Sequence, residues 1–130
     1  MSHEIPTKFE HNGASYYFDI RDADCAERFN DALRILGTEE KALPKDGAIH
    51  LHIKGQCDMV KNFFDNCLCA GAGDAICTEK SNIRLCYDAY EAFLVLVKEQ
   101  KEDILEAKNT FAKYSNRQQR RAAQHSKNDK

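Results

Sequence analysis

The sequence predicts a mainly α-helical fold of the α+β kind: a small N-terminal β-hairpin, then three to four helices, the last one long, and a disordered C-terminal tail. Three observations carry this. An Asn12-Gly13 pair is flanked by aromatic, strand-favouring residues; apolar residues recur at helical spacing in separate stretches; and Asn82 to Tyr114 contains neither Gly nor Pro.

The hairpin comes first. Lys8 to Ile20 places Phe9, Tyr16, Tyr17 and Phe18 around Asn12-Gly13, a pair that tolerates positive φ at both central positions of a type I′ turn. A first helix follows over 24–36. Asp24 and Glu27 have the spacing of a capping box, Cys25, Phe29, Ala32, Leu33 and Leu36 share one face, and Gly37 offers a C-terminal stop. Residues 38–47 read as a polar connection broken by Pro44 and Gly47. Ile49, Leu51 and Ile53 then alternate with His50 and His52, a period of two that suggests a strand with both histidines on one face. From 55 to 69 the period is helical, through Cys57, Val60, Phe64 and Cys67 with Met59, Phe63 and Leu68; the start of this helix falls somewhere in 48–55. A bend at Ala70 to Asp74 leads to a short helical or turn segment over 75–79.

Ser81 can cap the last helix. Ile83, Tyr90, Val97, Ile104 and Phe111 are spaced by seven, and Cys86, Phe93, Gln100, Ala107 and Tyr114 fall three positions later, with Gln100 the polar member. At about 1.5 Å per residue such a helix reaches roughly 48 Å, longer than a domain of this size is wide, so part of it should project. Its first half is apolar nearly all round, with Leu85, Tyr87, Leu94, Val95 and Leu96 added to the seam, which fits burial. The second half keeps a stripe among Glu99, Lys101, Glu102, Asp103, Glu106 and Lys108. That stripe either packs back on its own domain or takes a partner, a second copy of the chain or another protein.

Composition bounds the function. The chain has 130 residues, 42% apolar, with a formal charge of −2. The charge is unevenly divided: residues 1–112 carry −7, and residues 113–130, with six Lys/Arg and one Asp, carry +5. The expected organisation is one helical domain over 1–112 and a flexible basic tail over 113–130, because no apolar stripe continues past Tyr114. The longest apolar run, Ala92 to Val97, is far below the roughly 20 residues of a membrane span, so no membrane association is expected. Met1 to Pro6 shows no leader pattern, which points to the cytoplasm and to reduced thiols.

Six cysteines invite a metal reading, with Cys57, Cys67, Cys69, Cys77 and Cys86 near His50 and His52. Zinc sites are usually built from paired C-x₂₋₄-C knuckles, and only Cys67-Leu68-Cys69 is paired here, too closely. Core filling explains most of these thiols better; Cys69 and Cys77, beside the bend, are the ones expected to be exposed. No nucleotide, zinc-protease or serine-hydrolase motif is present, so neither an enzyme nor a cofactor is expected. The basic tail alone would suit nucleic acid, but the acidic body repels phosphate and argues against it.

Several of these residues together resemble a family. The hairpin with its Asn-Gly turn, the Phe63-Phe64-Asp65 helix running into Gly71-Ala72-Gly73, the Ala89-Tyr90-Glu91-Ala92-Phe93 centre of the long helix, and Tyr114-Ser115-Asn116-Arg117-Gln118-Gln119-Arg120-Arg121 are similar to the tail assembly chaperones of long-tailed bacteriophages and prophages. The likeness runs from about Val60 to Ala122; the bend departs from it, with Cys69 to Gly73 standing where relatives carry Phe-Gly-Glu-Gly. The resemblance implies a non-enzymatic protein of the bacterial host's cytoplasm, absent from the mature virion, that coats the tape measure protein and recruits tail tube subunits. Partner contacts would then come from the stripe of Val97, Ile104, Phe111 and Tyr114, by helix-on-helix recognition, and from Asn116, Arg117, Gln119, Arg120 and Arg121 against an acidic surface.

Overall fold

The computed structural model describes residues 4–128, with side chains as far as Arg121. Met1 to His3, part of the segment read for a leader, and Asp129 and Lys130 of the expected tail lie outside the described residues.

Strands β1 (Lys8–His11) and β2 (Ala14–Tyr17) pair antiparallel, Phe9 opposite Tyr16 and His11 opposite Ala14. The turn between them has positive φ at both Asn12 (52°) and Gly13 (78°), as the sequence requires. Asn12 Nδ2 donates to the Ile76 carbonyl at 2.6 Å, so the turn is fastened to the short third helix as well as closing the hairpin.

Helix α1 spans Ala23–Ala42, five residues past the expected stop at Gly37. A lone Gly costs a helix only about 1 kcal/mol against Ala. Proline is the stronger signal: it forces the residue before it out of the helical region, and Leu43, preceding Pro44, is extended at φ −68°, ψ 137°. The N-cap is Asp22 and not Asp24, which sits in the first turn. Asp22 spends its carboxylate on the Tyr17 hydroxyl instead of the helix N–H groups.

Helix α2 spans Ile49–Cys67, so the strand expected at Ile49, Leu51 and Ile53 does not form. A run of five alternating residues has no neighbouring strand to pair with here, and it continues a longer segment of helical period. His50 and His52 therefore point to nearly opposite sides of a helix, which removes the pairing expected of them.

Helix α3 (Ala72–Cys77) starts three residues earlier than expected and explains the two bend glycines separately. Gly71 sits at φ 88°, a left-handed cap that favours glycine. At Gly73 the constraint is space: a Cβ there would lie 2.4 Å from the Lys61 carbonyl oxygen. The Gly73 N–H donates to Asp65 at 2.8 Å, and buried Lys61 bonds the Lys80 carbonyl at 3.1 Å and pairs with Asp74 at 3.2 Å, so α2 grips α3 from both sides.

Helix α4 spans Ile83–Asn128. Asn82, not Ser81, caps it, its Oδ1 accepting from the N–H groups of Arg84 and Leu85 at 3.0 and 3.2 Å. The pattern reading ends this helix at Tyr114; the backbone stays helical beyond it because the Gln, Arg, Ala and Lys that follow are good helix formers and no breaker intervenes.

The core is a cluster of phenylalanines centred on Phe93, whose ring lies 4.8 Å from that of Phe18, 5.2 Å from Phe9 and 5.6 Å from Phe64. Phe29 and Phe63 complete it, one from each of α1 and α2. Edge-to-face pairs dominate, the arrangement in which ring edges meet ring faces favourably. Leu85, Tyr87 and Val95 are exposed, so the first half of α4 is less completely enclosed than its composition suggests; the body covers the seam and leaves the outer side to solvent.

Candidate partner-binding helix

Helix α4 divides at a polar knot. Gln100 is fully buried: its Nε2 donates to the carbonyls of Pro6 (3.0 Å) and Phe18 (2.9 Å), and its Oε1 accepts from the Ile20 N–H at 2.8 Å. All three partners are backbone groups of the N-terminal segment, and those of buried Phe18 and Ile20 would otherwise lack a bond. The one polar residue in the heptad series thus ties residues 6–20 to the helix. One turn on, Arg21 joins Asp19 (2.8 Å) to Asp103 (2.9 Å), and these bonds to two carboxylates raise its already high pKa further. Lys101 places its ammonium 5.5 Å from the centre of the Phe29 ring.

Beyond the knot none of the described residues covers the helix. From Leu105 to Arg121 every side chain is exposed apart from half-exposed Ser115. The proposed stripe is accordingly split. Val97 is a core residue, 3% exposed, and closed to a partner: the N-terminal segment held by Gln100 lies over that turn. Ile104 is half-buried at the boundary. Phe111 and Tyr114 are 74% and 62% exposed, and Asn116, Arg117, Gln119, Arg120 and Arg121 are all open to solvent. Where the helix leaves the body, Arg21, Asp103, Ile104, Ala107, Lys108 and Phe111 line an open hollow of about 430 Å³.

Two exposed apolar features escape the pattern reading. Leu105 lies one position off the heptad seam, where a seam count does not look. Ile49 and Leu51, 76% and 60% exposed, open a second hollow of about 340 Å³ with Leu43 and Pro44 at the α1–α2 connection. The strand reading hid them, because it read their alternation with His50 and His52 as a pleat and not as the start of an exposed helix.

The cysteines belong to the core. Cys25, Cys57, Cys67, Cys77 and Cys86 are buried and Cys69 is exposed, so of the two expected at the surface Cys77 is not. Burial pushes the thiols of Cys57 and Cys67 up to about 12 and that of Cys77 to about 11, and raises Cys86; these groups stay protonated at neutral pH and are poor nucleophiles. Among the described residues no group of three or more His, Cys, Asp or Glu is placed to hold a metal ion, and no helix is long and apolar enough to cross a membrane.

No curated protein and no solved structure matches the chain. One family model covers most of it, from the hairpin turn at residue 12 to residue 124 on α4, and the chain belongs to that family of unknown function, DUF6673.

Proposed function

We propose that this protein is a non-enzymatic assembly chaperone of a long-tailed bacteriophage or prophage. In this reading it holds the long helical tape measure protein soluble in the host cytoplasm, helps recruit tail tube subunits, and is left out of the finished virion. The observation that supports it best is the bare second half of α4, where Phe111 and Tyr114 stand open on a helix that packs on nothing. An isolated helix gains little stability from hydrogen bonds alone, and most helices in proteins are held by packing of one face. A partner helix laid along Ile104, Ala107, Phe111 and Tyr114 would supply that packing. Basic Arg117, Arg120 and Arg121 would then meet acidic side chains of the client. The sequence resemblance to tail assembly chaperones supplies the identity of that client.

Co-expression with the tape measure protein tests the reading. A chain ending at Ile104 keeps Gln100 and Asp103, and so its body, but loses the bare helix. The tape measure protein should precipitate with this truncated chain and stay soluble with the full one. Equal solubility and binding with both would sink the proposal, and retention of RNA or DNA by the full chain at low salt would favour the nucleic-acid reading in its place.

A further inference from the structure

The hairpin leaves one edge open over a groove. The Phe18 N–H donates to the Thr7 carbonyl at 2.9 Å, Phe9 lies opposite Tyr16, and His11 lies opposite Ala14. In an antiparallel pair the bonding side alternates along each strand, so Thr7, Phe9 and His11 turn their backbone groups to β2 while Lys8 and Glu10 turn theirs away. Two N–H and two carbonyl groups therefore face outward along β1. They overlook a hollow of about 490 Å³ whose lining, among the described residues, comes from residues 6–10 on one side and Ala92, Val95, Leu96 and Glu99 of α4 on the other. Val95, on its floor, is 52% exposed.

An open strand edge beside an apolar helix side suits an extended peptide, because the edge bonds its main chain and the helix receives alternate side chains. Charge decides which peptide. Lys8 and Glu10 are exposed on the outer face of the hairpin, while Phe9 between them is buried against Phe93. Two charges of one sign would only keep other strands off the edge, whereas opposite signs select an order. In an antiparallel third strand the residue opposite Glu10 comes first and should be basic; the next, opposite Phe9, turns inward over Val95 and should be apolar; the one opposite Lys8 should be acidic. Gln100 bonds the Pro6 carbonyl at 3.0 Å and Phe93 meets Phe9, so α4 runs antiparallel to β1 and Glu99 stands at the Pro6 end. The fourth residue, opposite Thr7 and again turned inward, then meets Glu99 and should be basic.

We infer that β1 accepts an extended segment of another protein as an antiparallel third strand in the groove beside α4, the segment reading basic, apolar, acidic, basic from its N-terminus. The inference uses the hairpin and the packed half of α4 and stands apart from the chaperone reading, which uses the bare half.

The probe is the capped peptide acetyl-Thr-Arg-Val-Glu-Lys-Thr-amide, added to the full chain and followed by NMR. A contact this short should bind with a Kd of about 1 mM. At about 3 mM peptide the amide protons of Lys8 and Glu10 should exchange with solvent at least about twofold more slowly, while those of Phe9 and His11, already bonded to β2, should change little. Methylating the peptide nitrogen of its Arg or its Glu, which point at β1, should abolish binding, and methylating that of its Val, which points away, should leave it within about twofold. Val95→Glu should weaken binding about tenfold with unchanged circular dichroism. A chain carrying K8E and E10K should prefer, by about tenfold, the peptide in which Arg and Glu are exchanged. Lys8 and Glu10 amides unmoved by the peptide, equal loss from all three methylations, or a charge exchange that does not carry the preference with it overturns the inference. So does protection of Lys8 and Glu10 that grows with protein concentration before peptide is added, which gives the edge to a second copy.

Discussion

Phe93 and Phe111 stand on one helix, eighteen residues apart, each on the apolar seam of the same heptad series; the first is fully buried among five other phenylalanines and the second is 74% exposed. Their spacing along the seam does not separate them, although the helix is apolar nearly all round at Phe93 and keeps only a stripe at Phe111. What differs is how far the rest of the chain reaches: the hairpin, α1 and α2 run out at the level of Gln100 and Arg21, and the helix continues alone. Periodicity fixes which side of a helix is apolar, whereas cover depends on elements elsewhere in the chain. The charged flanks tell the same story, since Asp103 is buried and paired with Arg21 while Glu106, one turn later, is open.

Truncating the two phenylalanines gives the widest expected contrast. Phe93→Ala should lose about 4 kcal/mol of unfolding free energy, the cost of removing an aromatic ring from a packed core. Phe111→Ala should change it by less than about 0.5 kcal/mol in dilute solution, as surface substitutions do. Urea denaturation reads both, and a comparable loss at the two positions would mean that the distal half packs on the body after all.

The boundary itself is next. Gln100→Leu leaves the Phe18 carbonyl and the Ile20 N–H buried without this partner and releases the Pro6 carbonyl, and should cost about 3 kcal/mol. Hydrogen exchange should quicken first at residues 6–20, and exchange that quickens only in α4 would show that the knot does not hold the N-terminal segment.

A smaller effect comes from pH, and it belongs to the body alone because the distal helix has no cysteine. Burial raises the folded thiols of Cys57 and Cys67 from an ordinary 9.0 to about 12. Unfolded thiols therefore ionise first as pH rises. The stability they contribute is complete below pH 9 and is lost between about 9 and 12, at about 1.4 kcal/mol per thiol by pH 10. Denaturation at pH 8 and pH 10 should show this fall, and Cys67→Ala should lessen it; a fall of the same size in that variant would assign the pH effect elsewhere. The smallest change is expected from ending the chain at Ser115, which should leave body stability within about 0.5 kcal/mol in dilute solution.

Much of the body is legible in the sequence because local chemistry and the fold agree there. Asn12-Gly13 could hardly do anything but turn, and Phe29, Val60, Phe64 and Phe93 fall at helical spacing and are buried as their pattern implies. The errors fall where two local signals compete. Gly37 and Pro44 both offer to end α1, and the proline wins because it removes a conformation while glycine only weakens one. Ile49, Leu51 and Ile53 carry a strand's period, yet a strand needs a partner that the chain does not supply. The stripe proposed for a partner is half legible: Phe111 and Tyr114 are exposed, whereas Val97 shares their periodicity and lies in the core. Its burial is decided by Gln100 and the distant N-terminal segment, contacts that spacing along one helix does not encode.

The Gln100 knot also sets an order of events during synthesis. Pro6, Phe18 and Ile20 leave the ribosome early, and the side chain that receives them is made 80 to 94 residues later. The hairpin can close on its own turn, but Phe9 and Phe18 have no Phe93 to pack against until most of the chain has emerged. Contacts of such long separation are slow to form, since the loop between them must close before they repay the cost. The N-terminal segment is therefore translated first and buried among the last, and the body becomes a finished unit only shortly before the bare end of α4 follows it out.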